Sequence, residues 1–114
     1  MKKKIKVLKA LGDETRLRIA CILAASGELC VCEIMAAVNM KQSAISKALR
    51  VLKEAEIIND ERRAQWMYYS INTKTDQTGY EIIKSVLRES KGNAVMESDL
   101  KNLKKYRASA CKGE

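Results

Sequence analysis

From Ile34 to Lys53 the sequence contains no Asp or Glu, and its apolar residues fall on two helical stripes separated by a tight turn. Val31, Ile34, Met35 and Val38 stand at i, i+3, i+4 and i+7, which predicts a short helix. Asn39-Met40-Lys41 supplies the turn, and a longer helix is predicted from about Gln42 to Ala55. At ~100° per residue, Ile45, Leu49 and Leu52 share one side of that second helix. Ser43, Ser46, Lys47 and Arg50 gather on the opposite side. Two short helices, a tight turn and a longer helix outline a helix-turn-helix. An ordinary solvated helix face mixes both charge signs. A face of small polar and basic groups with no carboxylate instead suits a helix that enters a phosphate-lined major groove.

The flanking segments extend the pattern. In residues 57–72, IINDERRAQWMYYSIN, Trp66, Tyr68 and Ser70 alternate with Met67, Tyr69 and Ile71 as in a strand, and Ile57 and Ile58 begin its partner. The hairpin tip carries Arg62, Arg63 and Gln65, placed to reach a DNA backbone or minor groove. Lys41, Gln42, Ser43, Ser46, Lys47 and Arg50, together with these three, form the expected contact set for double-stranded DNA. Before the helix-turn-helix, Ile5, Val7, Leu8 and Leu11 mark a short amphipathic helix. Gly12-Asp13 breaks it, and Asp13 can cap a second helix from Glu14 to about Ala25. After Asn72, one helix is read through Tyr80, Ile82, Ile83, Val86 and Leu87, and a last one through Met96, Leu100 and Leu103.

The expected fold is therefore mainly α with a small β-hairpin: one winged helix-turn-helix domain spanning residues 1–114. Residues 31–55 form the helix-turn-helix, 57–72 the wing and 109–114 a tail. The surplus of apolar helical positions assigns 1–12 and 76–108 to a homodimer interface. The alternative is that these positions complete one monomeric core.

Composition narrows the function. A net charge of +8 favours a polyanionic partner. No run approaches the ~18–20 apolar residues of a membrane span, and the basic N-terminus lacks the apolar stretch and cleavage site of a secretory signal. The expected location is cytoplasmic, where Cys21, Cys30, Cys32 and Cys111 are thiols. The chain has no histidine, hence neither the commonest general base nor the commonest metal ligand. It also lacks a glycine-rich phosphate loop, GxSxG and CxxC. Cys30-Val31-Cys32 without a base does not make a thiol enzyme.

The cysteines admit two readings each. Cys30 and Cys32 are either small buried hydrophobes or ligands for a soft ion, with a helix N-terminus lowering their pKa. Two positions on a regular helix are ~200° apart, so capture of one ion by both would require that turn to unwind. Cys111 is either a further ligand or an idle tail thiol. Cys21, one turn from Leu17 in a nearly all-apolar helix, is expected to pack.

LKALGDETRLRIACIL (8–23), ELCVCEI (28–34), KQSAISKALRVLKEAEII (41–58) and RRAQWMYYSIN (62–72) resemble, in order, the ArsR/SmtB family of metal-sensing winged-helix repressors. The resemblance implies a homodimer, a DNA-reading helix from Gln42, and repression relieved by an inducer. ELCVCE is similar to the thiol box of the family's arsenic, antimony, cadmium and lead responders, which implies As(III), Sb(III) or another soft ion bound by Cys30 and Cys32. The position where arsenic-type boxes often carry a third cysteine is Met35, and no cysteine precedes Cys21. A third thiolate would be Cys111, Cys21 or an external thiol. The family's zinc sites on C-terminal helices need His, absent here. The alternative within the family is a redox or persulfide-sensing repressor, which pairs a cysteine at the Cys21 position with one in the helix after the wing; residues 79–89 contain none. Many relatives place Gly at the wing tip, where this chain has Ala64-Gln65.

Overall fold

A computed structural model describes residues 1–74, 78–90 and 92–110. The chain order is α1 (Lys2–Leu11), α2 (Glu14–Ser26), β1 (Leu29–Cys30), α3 (Val31–Val38), α4 (Gln42–Glu54), β2 (Ile58–Arg63), β3 (Trp66–Ile71), α5 (Thr78–Glu89) and α6 (Ala94–Ala110). The winged helix read from the sequence is present, with one addition. Leu29 and Cys30 pair with Tyr69 and Tyr68, making a three-stranded antiparallel sheet in the order β1-β3-β2. Two residues are too short for a periodicity to register, so this strand was invisible to sequence patterning.

α2 lies at the centre. Ile19, Ala20, Cys21, Ile22 and Leu23 are all buried, as expected of a helix surrounded by other elements. Its start is fixed by Asp13, whose carboxylate accepts the Arg16 N–H at 3.0 Å. Arg16 then reaches back to the Ala10 and Lys9 carbonyls at 2.7 and 3.3 Å, placing a cation on the exposed carbonyls that end α1. Ile34, Ala37 and Val38 of α3, and Ile45, Ala48, Leu49 and Leu52 of α4, close onto the same core. The turn between them starts with Asn39 in the left-handed region, φ 55°. Gly79 is buried on α5, where a Cβ would meet the Ile57 and Val7 side chains at 3.4 Å. A glycine there lets α5 approach α1.

The wing pairs from Ile58↔Ile71 to Arg63↔Trp66, leaving Ala64-Gln65 as a two-residue loop. Ala64 has φ 56° and Gln65 does not lie at positive φ, the sign order of a type II′ hairpin turn. Alanine therefore occupies a position that glycine fills without steric cost.

The two post-wing helices are used differently. α6 buries Met96 and Leu103, with Asp99, inside the protomer and leaves Val95 and Leu100 exposed. On α1, Val7, Ala10 and Leu11 face inward while Ile5 and Leu8 are 45% and 55% exposed. No described helix is long and apolar enough to cross a membrane.

Candidate nucleic-acid interface and thiol site

α4 presents the predicted reading face. Lys41, Gln42, Ser43, Ser46, Lys47 and Arg50 are all exposed, opposite buried Ile45, Leu49 and Leu52. No side chain caps the helix start, and its first turn carries no acid. The free N–H groups and positive dipole end there suit a phosphate. Among the described residues no ion pair engages Lys41, Lys47 or Arg50. Replacing Lys47 or Arg50 by Ala is expected to weaken DNA binding, measured by anisotropy over a salt series. Loss of a phosphate contact lowers the salt slope by about one unit. Loss of a guanine contact costs ~1–3 kcal/mol at one base pair. Unchanged binding in both variants would misplace the reading helix.

The wing-tip residues divide. Arg62 and Gln65 are exposed, and Arg62 has no ion-pair partner among the described residues. Arg63 is committed elsewhere. Its guanidinium donates to both Glu28 oxygens at 2.6 and 2.8 Å and to Glu61 at 2.7 Å. It also lies 4.9 Å over the Tyr68 ring. These carboxylates raise its pKa further, and its side chain is still about half exposed.

The thiol pair sits where β1 becomes α3. Cys30 is the N-cap of α3, with extended backbone, and only Cys32 lies within the helix. The ~200° helical separation expected from the sequence therefore does not apply, because the chain leaves the helix at Val31. Cys30 is half-buried and Cys32 exposed. Glu33 accepts the Cys30 N–H at 3.0 Å and receives Arg107 of α6 at 2.8 Å. Burial opposes its ionisation, yet the bonds from Arg107 and Cys30 win and lower its pKa. Burial raises the Cys30 pKa, and the Glu33 carboxylate adds to the rise against the helix N–H groups. The expectation of an acidified Cys30 thiol is thus overturned: desolvation outweighs the helix terminus here.

Tyr106 of α6 senses both thiols electrostatically. Its pKa is raised first by burial, then by Cys32 and Cys30, with a hydrogen bond to Cys32. Tyr106 and Arg107 precede Cys111 by less than two helical turns of sequence; Cys111 itself lies outside the described residues. Among those described, no three Cys, Asp or Glu gather as a metal site. Cys21 is away from the pair, buried against a pocket of about 300 Å³ that Leu17, Val86 and Met96 also line. Burial pushes its pKa up to about 11, consistent with the packing role.

Sequence reasoning missed the links from α6 to α3. Asp99, 1% exposed, takes Arg18 of α2 at 2.7 and 3.0 Å, and Arg18 also donates to the Val38 carbonyl at 3.1 Å. Asn102 donates to the Ala37 carbonyl at 3.0 Å. Together with Arg107 and Glu33, these contacts hold α3 at both ends. The available signal was an acid, Asp99, lying within the Met96, Leu100 and Leu103 stripe.

A helix-turn-helix whose second helix exposes a basic and small-polar face with no acid before Glu54, followed by a β-hairpin, defines a winged-helix DNA-binding regulator. Residues 13–60 match the family described as bacterial regulatory protein, arsR family. The chain is 41% identical over 81 residues to arsenic resistance transcriptional regulator ArsR1 of Pseudomonas putida, covering 71% of this chain and 63% of that protein. Against ArsR2 of the same organism it is 40% identical over 82 residues, covering 72% and 71%. The chain belongs to the arsR family. Among solved structures, HlyU from Vibrio cholerae superimposes with a TM-score of 0.68 at 30% identity, covering 76% of this chain and 90% of that one. The homodimeric winged helix-turn-helix DNA-binding domain Mb0332 from Mycobacterium bovis gives 0.67 at 27% identity, covering 79% and 80%.

Proposed function

We propose that this protein is a cytoplasmic repressor that binds double-stranded operator DNA as a homodimer and lets go when Cys30 and Cys32 capture As(III) or Sb(III). The observation that carries this reading is the position of the pair. Both thiols sit at the start of α3, the first helix of the helix-turn-helix, and Glu33 between them and α6 binds Arg107. An ion drawn between an N-cap and a helical residue pulls on α3, which sets the position of α4.

The chemistry favours a metalloid over a divalent ion. Arsenous acid condenses with thiols as As(OH)3 + 3 RSH → As(SR)3 + 3 H2O, with no net proton released. A divalent ion, by contrast, must expel the thiol protons on binding. Cys111, in the tail after α6, is the proposed third ligand. Exposed Ile5 and Leu8 on α1, with α5 beside it, are the proposed dimer surface, and residues 76–108 contribute through what α6 leaves exposed, Val95 and Leu100. Arg62, Gln65 and the α4 face are the proposed DNA contacts. In operator binding by reduced protein, micromolar As(III) should lower affinity about 100-fold, roughly 2.7 kcal/mol of differential binding. Full retention on DNA would refute the inducer assignment.

A further inference from the structure

ELCVCE is bracketed by two glutamates, and each holds an arginine from a different part of the fold. Glu33 holds Arg107 of α6, whereas Glu28 holds Arg63 at the end of the wing strand. The strand pairing makes the second connection tight. Cys30 lies opposite Tyr68, Tyr68 lies opposite Glu61, and Arg63 lies opposite Trp66. Residues directly paired across strands, and those two apart on one strand, share a face; Glu28, just before β1, joins that face through its bonds to Arg63. Glu28, Cys30, Tyr68, Trp66, Glu61 and Arg63 therefore form one continuous surface, tied by the Arg63 fork and its contact with the Tyr68 ring.

We infer that Glu28 is a positioning residue that couples the thiol pair to the wing, through Arg63, so that the wing is a second output of the thiol site beside α3. The inference rests on the proposed capture of an ion by Cys30 and Cys32. Drawing Cys30 toward an ion displaces β1 from Tyr68, and Glu28, two residues away, moves with it. Arg63 then loses its bidentate partner, and the wing loses the strand and the ion pair that fix its angle to α4. Exposed ion pairs contribute little to stability. A bidentate fork specifies direction, and direction is what a wing seated against DNA needs.

The chain carries its own reporter. Trp66, the single tryptophan, is paired with Arg63 and 47% exposed. In DNA-free protein, As(III) should change Trp66 emission in proportion to thiols consumed. In Glu28→Gln the same thiols should be consumed, but the emission change should fall roughly fivefold or more, with partial recovery in Glu28→Asp. A Glu28→Gln variant whose Trp66 responds as fully as the parent overturns the coupling. A second arm separates this from the choice of inducer. In Cys32→Ser/Cys111→Ser protein, with Cys21 buried, maleimide modification of Cys30 should shift Trp66 emission when Glu28 is present and not in Glu28→Gln. If As(III) consumes no thiol in any variant, the inducer assignment fails while the maleimide arm still decides the coupling. A Trp66 signal indifferent to Cys30 modification refutes it.

Discussion

Cys30→Ser and Cys32→Ser, each made singly, are expected to bind operator DNA as the parent does and to ignore As(III). The parent should lose about 100-fold in affinity on adding the ion, equivalent to roughly 2.7 kcal/mol, and each variant should lose almost none of it. Each variant leaves two of the three proposed thiols, too few to complete As(SR)3, and a serine hydroxyl is a poor partner for a soft ion. The ion-free structure should tolerate both changes. Cys32 is exposed, and the contact that fixes Cys30 to Glu33 runs through the backbone N–H, which serine retains. Serine is also a favoured N-cap, so Cys30→Ser should not loosen α3. Anisotropy of labelled operator, with and without As(III), reads both quantities. A variant released as readily as the parent would remove that cysteine from the site.

Asp99→Ala should cost about 3 kcal/mol of stability, the low end for breaking a buried ion pair. Asp99 is 1% exposed, and its Arg18 partner is 24% exposed at the side chain. The stranded guanidinium would therefore keep some access to water, which limits the penalty. The loss extends beyond the pair, because Arg18 bridges Asp99 to the Val38 carbonyl at the end of α3. Loosening that end should also blunt the effect of ion capture at the other end. Urea unfolding at fixed protomer concentration measures the stability change, since the midpoint of the proposed dimer would depend on concentration. A shift below about 1 kcal/mol would mean that the pair is solvated in the assembled protein.

Helix-scale features were legible because they repeat. The α3 and α4 stripes, the Asp13 cap and the alternation of Trp66 to Ile71 each follow a period or a capping rule, and the structure places them within a residue or two. What the sequence hid depends on contacts between distant residues. β1 exists only because Tyr68 and Tyr69 lie beside it. The ion pair of Arg63 with Glu28, 35 positions away in sequence, follows no period and could not be read from either residue alone. The Cys30 pKa moved against expectation because helix position is local, whereas the burial that overrides it comes from packing. The α6 stripe likewise shows that the helix packs, not against which chain.

The most direct test of the thiol site as the control point is an anaerobic titration of reduced protein on labelled operator, counting free thiols and bound DNA in the same samples. Thiol loss and DNA release should follow one curve, with Cys30 and Cys32 consumed together, Cys111 alongside them and Cys21 untouched. Release from the operator before these thiols react, or complete reaction of Cys30 and Cys32 with the DNA still bound, would contradict it.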